Sequence, residues 1–153
     1  MRKIFSEVNR AYLAGLIDGD GAIMACIERH CEKKFNFRVR IQLKISQKED
    51  SVLRWCKKAS GFGFIRCNRS QYEWCSFNQE EIKNFLLAIL PFLRVKKKQA
   101  KYALKIIQIT VKTKSHLIKQ AHLADTLSKL NIRSRGRRKN FATMIQENIS
   151  PND

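Results

Sequence analysis

Acidic side chains are scarce in this 153-residue chain: 13 Asp and Glu stand against 31 Lys and Arg, a formal charge of +18. An imbalance of that size argues against a cationic partner and points to a polyanion, nucleic acid ahead of a membrane surface. No apolar run approaches the length of a membrane span, and Met1-Arg2-Lys3 is not followed by a signal-peptide core, so a soluble intracellular protein with no membrane partner is expected. The five cysteines (Cys26, Cys31, Cys56, Cys67, Cys75) are odd in number and contain no C-x-x-C pair, which speaks against a disulfide framework. His30, His116 and His122 do not stand at zinc-finger spacing from them, which speaks against a structural zinc. Disorder is excluded by 44% apolar content with nine Phe, enough for one domain over 1–153 with a sizeable core.

What is present is organised around residues 13–21, Leu13-Ala14-Gly15-Leu16-Ile17-Asp18-Gly19-Asp20-Gly21. From an N-cap at Ser6, Tyr12, Leu13, Leu16 and Ile17 recur at helical spacing and predict one buried face. Ala11, Gly15 and Gly19 recur every four residues on another face, with Ala14 and Asp18 beside them. A stripe so small buries little within one chain, but it lets two helix backbones approach closely, which predicts pairing with a second copy. Asp20 then falls at the helix C-terminus, where carbonyls lack partners and the macrodipole is negative. Its carboxylate and the Gly19 carbonyl are the hard oxygen ligands that Mg²⁺ takes, with Ca²⁺ or Mn²⁺ as substitutes. One carboxylate makes a poor site, and two Asp20 side chains brought together in a dimer make a better one.

After Gly21 the period changes from helical to two. Ile23, Ala25 and Ile27 alternate with Met24, Cys26, Glu28 and His30; across residues 35–46, Phe37, Val39, Ile41, Leu43 and Ile45 alternate with Arg38, Arg40, Gln42, Lys44 and Ser46. One face is a core, and the other is basic. Arg and Gln make bidentate contacts to base edges and a two-stranded ribbon fits the major groove, so the polar face reads as a DNA-reading surface rather than a merely solvated one. A short helix follows from Ser51, stopped by Gly61-Phe62-Gly63, and then a second hairpin over 64–68 and 72–77 whose groove-facing positions are Arg66, Asn68, Glu73 and Cys75. Asn78 with Glu81 predicts the start of a helix that ends at Pro91. Beyond the basic run 94–105, a helix carries Ala100, Ala103, Leu104, Ile107 and Ile109 inward, and another spans 115–130. The loop 131–139 holds Arg137, Arg138 and Lys139 as phosphate contacts, and a last helix covers 141–149.

The string LAGLIDGDG resembles the signature of the LAGLIDADG homing endonucleases, with Gly19 in a position where that signature varies. The element order, Gln47 after the second strand, Gly61-Phe62-Gly63 and Pro91-Phe92-Leu93 before the lysines extend the resemblance over the first two thirds of the chain. It implies an α+β fold: an αββαββα core over about 5–110, an antiparallel saddle sheet for DNA, and a C-terminal helical extension over about 113–150. It also implies a metal-dependent endonuclease that cuts double-stranded DNA across a minor groove, leaves 3′ overhangs and serves intron homing, encoded in a chloroplast or mitochondrion. Asp20, Gln47 and Lys96 match the family's catalytic positions, with Lys98 as the alternative for the last. No second copy of the motif occurs, and single-motif relatives act as homodimers on targets with two related half-sites. One departure stands out: some relatives carry a basic residue four positions after the glutamine, where this chain has Ser51, with Lys48 and Arg54 as neighbours. Two other functions suit the same fold, an intron RNA maturase and a DNA-binding protein that does not cut.

Overall fold

The computed structural model describes residues 6–131 and 140–148. Its elements are α1 (Glu7–Asp20), β1 (Gly21–Arg29), β2 (Phe37–Gln47), α2 (Ser51–Ser60), β3 (Phe64–Asn68), β4 (Gln71–Ser76), α3 (Gln79–Ile89), α4 (Lys97–Gln108), α5 (Lys114–Leu130) and α6 (Phe141–Asn148). The strands form one antiparallel four-stranded sheet in the order β1-β2-β4-β3, so the fold is α+β with the expected αββαββα core order. By compactness the chain groups into two units, Met1–Ile23 with Gln42–Ala100, and Met24–Ile41 with Lys101–Asp153. β1, β2 and α4 each contribute residues to both.

In the first unit, Ser6 accepts a hydrogen bond from the Asn9 amide and starts α1, whose Leu13, Ala14 and Ile17 are buried. Leu43 and Ile45 of β2, Leu53 and Cys56 of α2, and Ile82, Phe85, Leu86 and Ile89 of α3 complete the core. Trp74 of β4 is its largest member; it makes edge contacts with Phe62 and Phe85, and its Nε1 donates to the Phe62 carbonyl at 3.0 Å. β4 pairs with β2 on one side, Ile45 opposite Trp74, and with β3 on the other, Ile65 opposite Trp74. Asn78 caps α3 by accepting from the Glu80 and Glu81 amides, as its position predicts.

The buried apolar helical residues of the second unit are Ala103, Leu104 and Ile106 of α4, Leu117, Ala121, Ala124 and Leu127 of α5, and Ala142 and Ile145 of α6. Buried Gln120 donates to the Ile106 carbonyl, and the Asp125 carboxylate accepts from the Phe141 and Ala142 amides, capping α6 from a neighbouring helix. Ile106 is fully buried, whereas Ile107 and Ile109 are only partly so; the helix ends at Gln108, so the periodicity read through Ile109 runs past it. Tyr12 also departs from its expected core position: it is 51% exposed and meets Trp55 edge-on at 5.0 Å. No described helix is long and apolar enough to cross a membrane.

The turn before β3 depends on glycine. Gly63 has φ +79°, and a Cβ there would lie 2.6 Å from Trp74 Nε1. Gly63→Ala therefore combines left-handed strain with a clash against the core tryptophan, and is expected to cost about 1–3 kcal/mol, read as a thermal midpoint several degrees lower. An unchanged midpoint would show that the turn is not fixed by Trp74.

Candidate nuclease site and nucleic-acid interface

The C-terminus of α1 presents the usual problem of carbonyls without intrahelical donors. Two donors solve it here. The Gly21 amide donates to the Ile17 carbonyl, and the Lys96 ammonium donates to the Ile17 and Asp18 carbonyls at 2.9 and 2.6 Å. The Asp18 carboxylate returns the tie by accepting from the Arg94 and Lys96 amides, both at 2.8 Å. Gly21 permits the immediate change to strand, since a Cβ there would sit 2.6 Å from the Ile17 Cα. A positive charge at a helix C-terminus is favourable, so Lys96 both caps α1 and offsets the negative dipole end beside Asp20.

Asp20 is exposed, and its Oδ2 accepts from Gln47 Nε2 at 2.7 Å. α1 and β2 thus deliver two of the three expected catalytic residues to one point. Lys96 belongs to the same helix end, but its ammonium is held on backbone carbonyls, a geometry that makes it a clamp on the site; Lys98 is exposed. Ser51 is exposed in the first turn of α2, and Arg54 pairs with Asp50 at 2.7 Å, so Arg54 does not fill the place of a basic residue at 51.

The donor chemistry of Asp20 and the Gly19 carbonyl suits a hard divalent cation, yet one chain supplies too few ligands. Among the described residues no cluster of three His, Cys, Asp or Glu could hold a metal. The expected small face of α1 is present: Ala11, Gly15 and Gly19 are exposed, nothing lies within 4 Å of a Cβ built at either glycine, and Val8 is 76% exposed on the same helix. Two positions assigned to that face have other roles. Ala14 is fully buried in its own chain, because it lies on the Leu13–Ile17 side of the helix. Asp18 is partly buried and spends both oxygens on the Arg94 and Lys96 amides.

On β2, β3 and β4 the register opposes Lys44 to Cys75, Ser46 to Glu73 and Arg66 to Glu73, so these residues share one sheet face as predicted. Glu73 is at its centre, 3% exposed, and accepts from Lys44 Nζ (3.0 Å), Arg66 Nε (2.8 Å), Asn68 Nδ2 (3.2 Å) and Ser46 Oγ (3.4 Å). Burial alone would raise its pKa, but the hydrogen bonds from Lys44, Arg66 and Asn68 outweigh it and bring the carboxyl down to about 2. The assignments of Glu73 and Cys75 as DNA contacts are corrected: Cys75 is fully buried, and Glu73 is enclosed by the cations it orients. Gln42 is also buried, at 9% exposure, which removes it from the accessible reading set. Lys44, Ser46, Arg66 and Asn68 remain accessible, Arg66 and Asn68 the most. Arg54 and Lys57, one turn apart on α2, line a groove with Arg66 and Tyr72 that sequence reasoning missed; their i,i+3 spacing on an exposed helix face is the signal that could have found it.

On the first hairpin, Met24, Cys26, Glu28 and His30 are half-buried, and Glu28 binds both Arg38 and Arg40. Arg137, Arg138 and Lys139 lie outside the described residues.

The Glu73 carboxyl has a folded pKa below its unfolded value, so its contribution is complete above about pH 5 and is lost as pH falls toward 2. Over that window the shift from 4.5 to about 2 corresponds to roughly 3 kcal/mol. Glu73→Gln is expected to lower stability at pH 7 and to flatten this acid dependence in denaturant titrations; an equally steep loss between pH 5 and 2 in the variant would place the acid-sensitive group elsewhere.

Residues 13–111 match the model of the LAGLIDADG endonuclease family. The DNA endonuclease I-CreI of Chlamydomonas reinhardtii is 35% identical over 101 residues, 63% of this chain; the match spans 61% of that relative, under two thirds of its length. The DNA endonuclease I-CvuI of Chlorella vulgaris is 32% identical over 148 residues, covering 94% of this chain and 88% of that one. A crystal structure of I-CvuI in complex with its target in the presence of calcium superposes with a TM-score of 0.82 at 32% identity over 92% of this chain and 91% of that one. Another, with the I-CreI target and magnesium, in which the DNA is not cleaved, gives 0.83 at 31% identity over 92% of both chains. With the motif and the element order in agreement, the chain belongs to the family of LAGLIDADG homing endonucleases.

Proposed function

We propose that this homing endonuclease acts as a homodimer that hydrolyses one phosphodiester in each strand of a long, pseudo-palindromic DNA site, in the service of an organellar intron. The observation that carries the reading is Asp20 itself: an exposed carboxylate fixed by Gln47 at the end of a helix whose exposed face carries Gly15 and Gly19. That face lets a second α1 approach closely and brings the partner's Asp20 alongside, so the dimer has the ligand set that one chain lacks.

Asp20 and the Gly19 carbonyl of each chain would hold the divalent cation, Mg²⁺ by preference. When bound it supplies Lewis-acid activation of a water and neutralises charge at the scissile phosphate. Gln47 keeps the Asp20 carboxylate in one orientation and presents its own amide to the water that attacks. Lys96 holds the last turn of α1 closed and adds positive charge where the phosphate arrives. Lys44, Ser46, Arg66 and Asn68 contact base edges and backbone, supported by a net charge of +18.

Asp20→Asn is expected to reduce cleavage of a selected target in Mg²⁺ by roughly 10³-fold, the equivalent of about 4 kcal/mol, while binding measured in Ca²⁺ persists. Wild-type protein that binds the target tightly but does not cut it in Mg²⁺ would contradict the nuclease reading. A Cβ at Gly15 meets no neighbouring element within 4 Å, so Gly15→Leu is expected to keep the fold and give a monomer in sedimentation at concentrations where the wild type is dimeric. A dimeric Gly15→Leu variant would move the interface off α1.

A further inference from the structure

On the first hairpin one acid sits between two arginines ten and twelve residues away. Glu28 Oε2 accepts from Arg38 Nη2 at 2.7 Å, and Oε1 accepts from both Nε and Nη2 of Arg40 at 3.0 and 2.6 Å. All three side chains remain open to solvent in part: 34% for Arg38, 24% for Arg40 and 32% for Glu28. The cluster is therefore a structured part of the surface, neither core nor loose periphery. The Arg38 hydrogen bond pulls the Glu28 pKa down against the effect of burial, and Arg40 adds to it, so the carboxylate is ionised throughout the neutral range.

An acid in this place opposes affinity. Every cation left uncovered on a DNA-binding face strengthens attraction to phosphate, and a fixed carboxylate both cancels charge and repels the backbone. What it gives in return is orientation. A lone surface arginine carries about 2 kcal/mol of rotamer entropy and can meet any phosphate. A guanidinium pinned on one edge has few poses left, and its donors meet only acceptors placed to match. Guanine O6 and N7 form the acceptor pair that an arginine fork fits. The same arrangement recurs around Glu73, which holds Lys44 and Arg66, so two of the 13 acids of this chain stand among the very cations expected to read DNA.

We propose that Glu28 is a specificity-determining positioning residue: it makes no DNA contact of its own, but fixes Arg38 and Arg40 as one two-pronged reader of guanine edges and penalises DNA that lacks them. The inference rests on the reading of the chain as a site-specific DNA endonuclease and assigns how part of its specificity arises. Glu28, placed by its sequence position among the DNA contacts, thus acts through its neighbours. Removing its charge is expected to tighten general binding and weaken discrimination, opposite to the effect of losing a direct contact.

The test is a binding selection from a randomised duplex library in Ca²⁺ with the full chain, wild type and Glu28→Gln, followed by affinity for the best wild-type site and for an unrelated duplex. Expected for Glu28→Gln are equal or tighter binding to the unrelated duplex, a steeper salt dependence, and about tenfold lower preference for guanine at the positions under the two arginines. In an Arg38→Gln, Arg40→Gln background, Glu28→Gln should change preference no further. A Glu28→Gln profile identical to wild type, or a loss of thermal stability with preference intact, would overturn the proposal and leave Glu28 as a structural ion pair. Weaker binding to all duplexes alike would overturn it as well. A wild-type chain that selects no duplex would refute the endonuclease reading itself, and this inference with it.

Discussion

The end of α1 is a constraint from which the site follows. A helix that must stop at Asp20 and become a strand at Gly21 leaves its last carbonyls short of donors; the distant Lys96 ammonium donates to two of them, and the Asp18 carboxylate accepts from the Arg94 and Lys96 amides in return. Because Lys96 immediately precedes α4, this tie sets where that helix begins. Because Asp18 is occupied inward, Asp20, two residues on, is the carboxylate left at the surface, and Gln47 at the end of β2 fixes its orientation. The geometry of the proposed site and the termination of the helix are therefore one problem with one set of residues.

The sheet face obeys a related economy of charge. A protein with 31 basic residues risks binding any DNA equally well. Two carboxylates, Glu28 on the first hairpin and Glu73 on the second, each gather cations into a cluster with defined geometry. Glu73 is nearly inaccessible, its charge retained because three hydrogen-bonding partners outweigh the cost of burial. Preorganised side chains lose less entropy on binding than free ones, which converts charge into selectivity.

Much of this was legible in the sequence because periodicity is local. The alternation from Phe37 to Ser46, the stops at Gly61 and Pro91, and the cap at Asn78 each concern neighbours a few residues apart, and the elements formed as read. The nine-residue motif likewise located Asp20, and the family pattern added Gln47. What local pattern could not supply was depth and partnership. Alternation put Cys75 and Glu73 on the correct face but could not tell that both lie buried on it. The small stripe of α1 was visible, yet the side of the helix on which Ala14 falls depended on packing. The roles of Lys96 and Glu28 depend on partners 78 or 79 and 10 or 12 residues away, and no spacing rule announces such pairs.

In the proposed dimer neither chain owns a complete site. A mixed dimer of one wild-type and one Asp20→Asn chain, purified through two different tags, tests it most directly when the cleavage rate of each strand of the selected target is followed separately in Mg²⁺. If the two Asp20 carboxylates share the cation site, one substitution depresses cutting of both strands. Wild-type cutting of one strand, with only the other lost, would contradict the account and give each chain an independent active site.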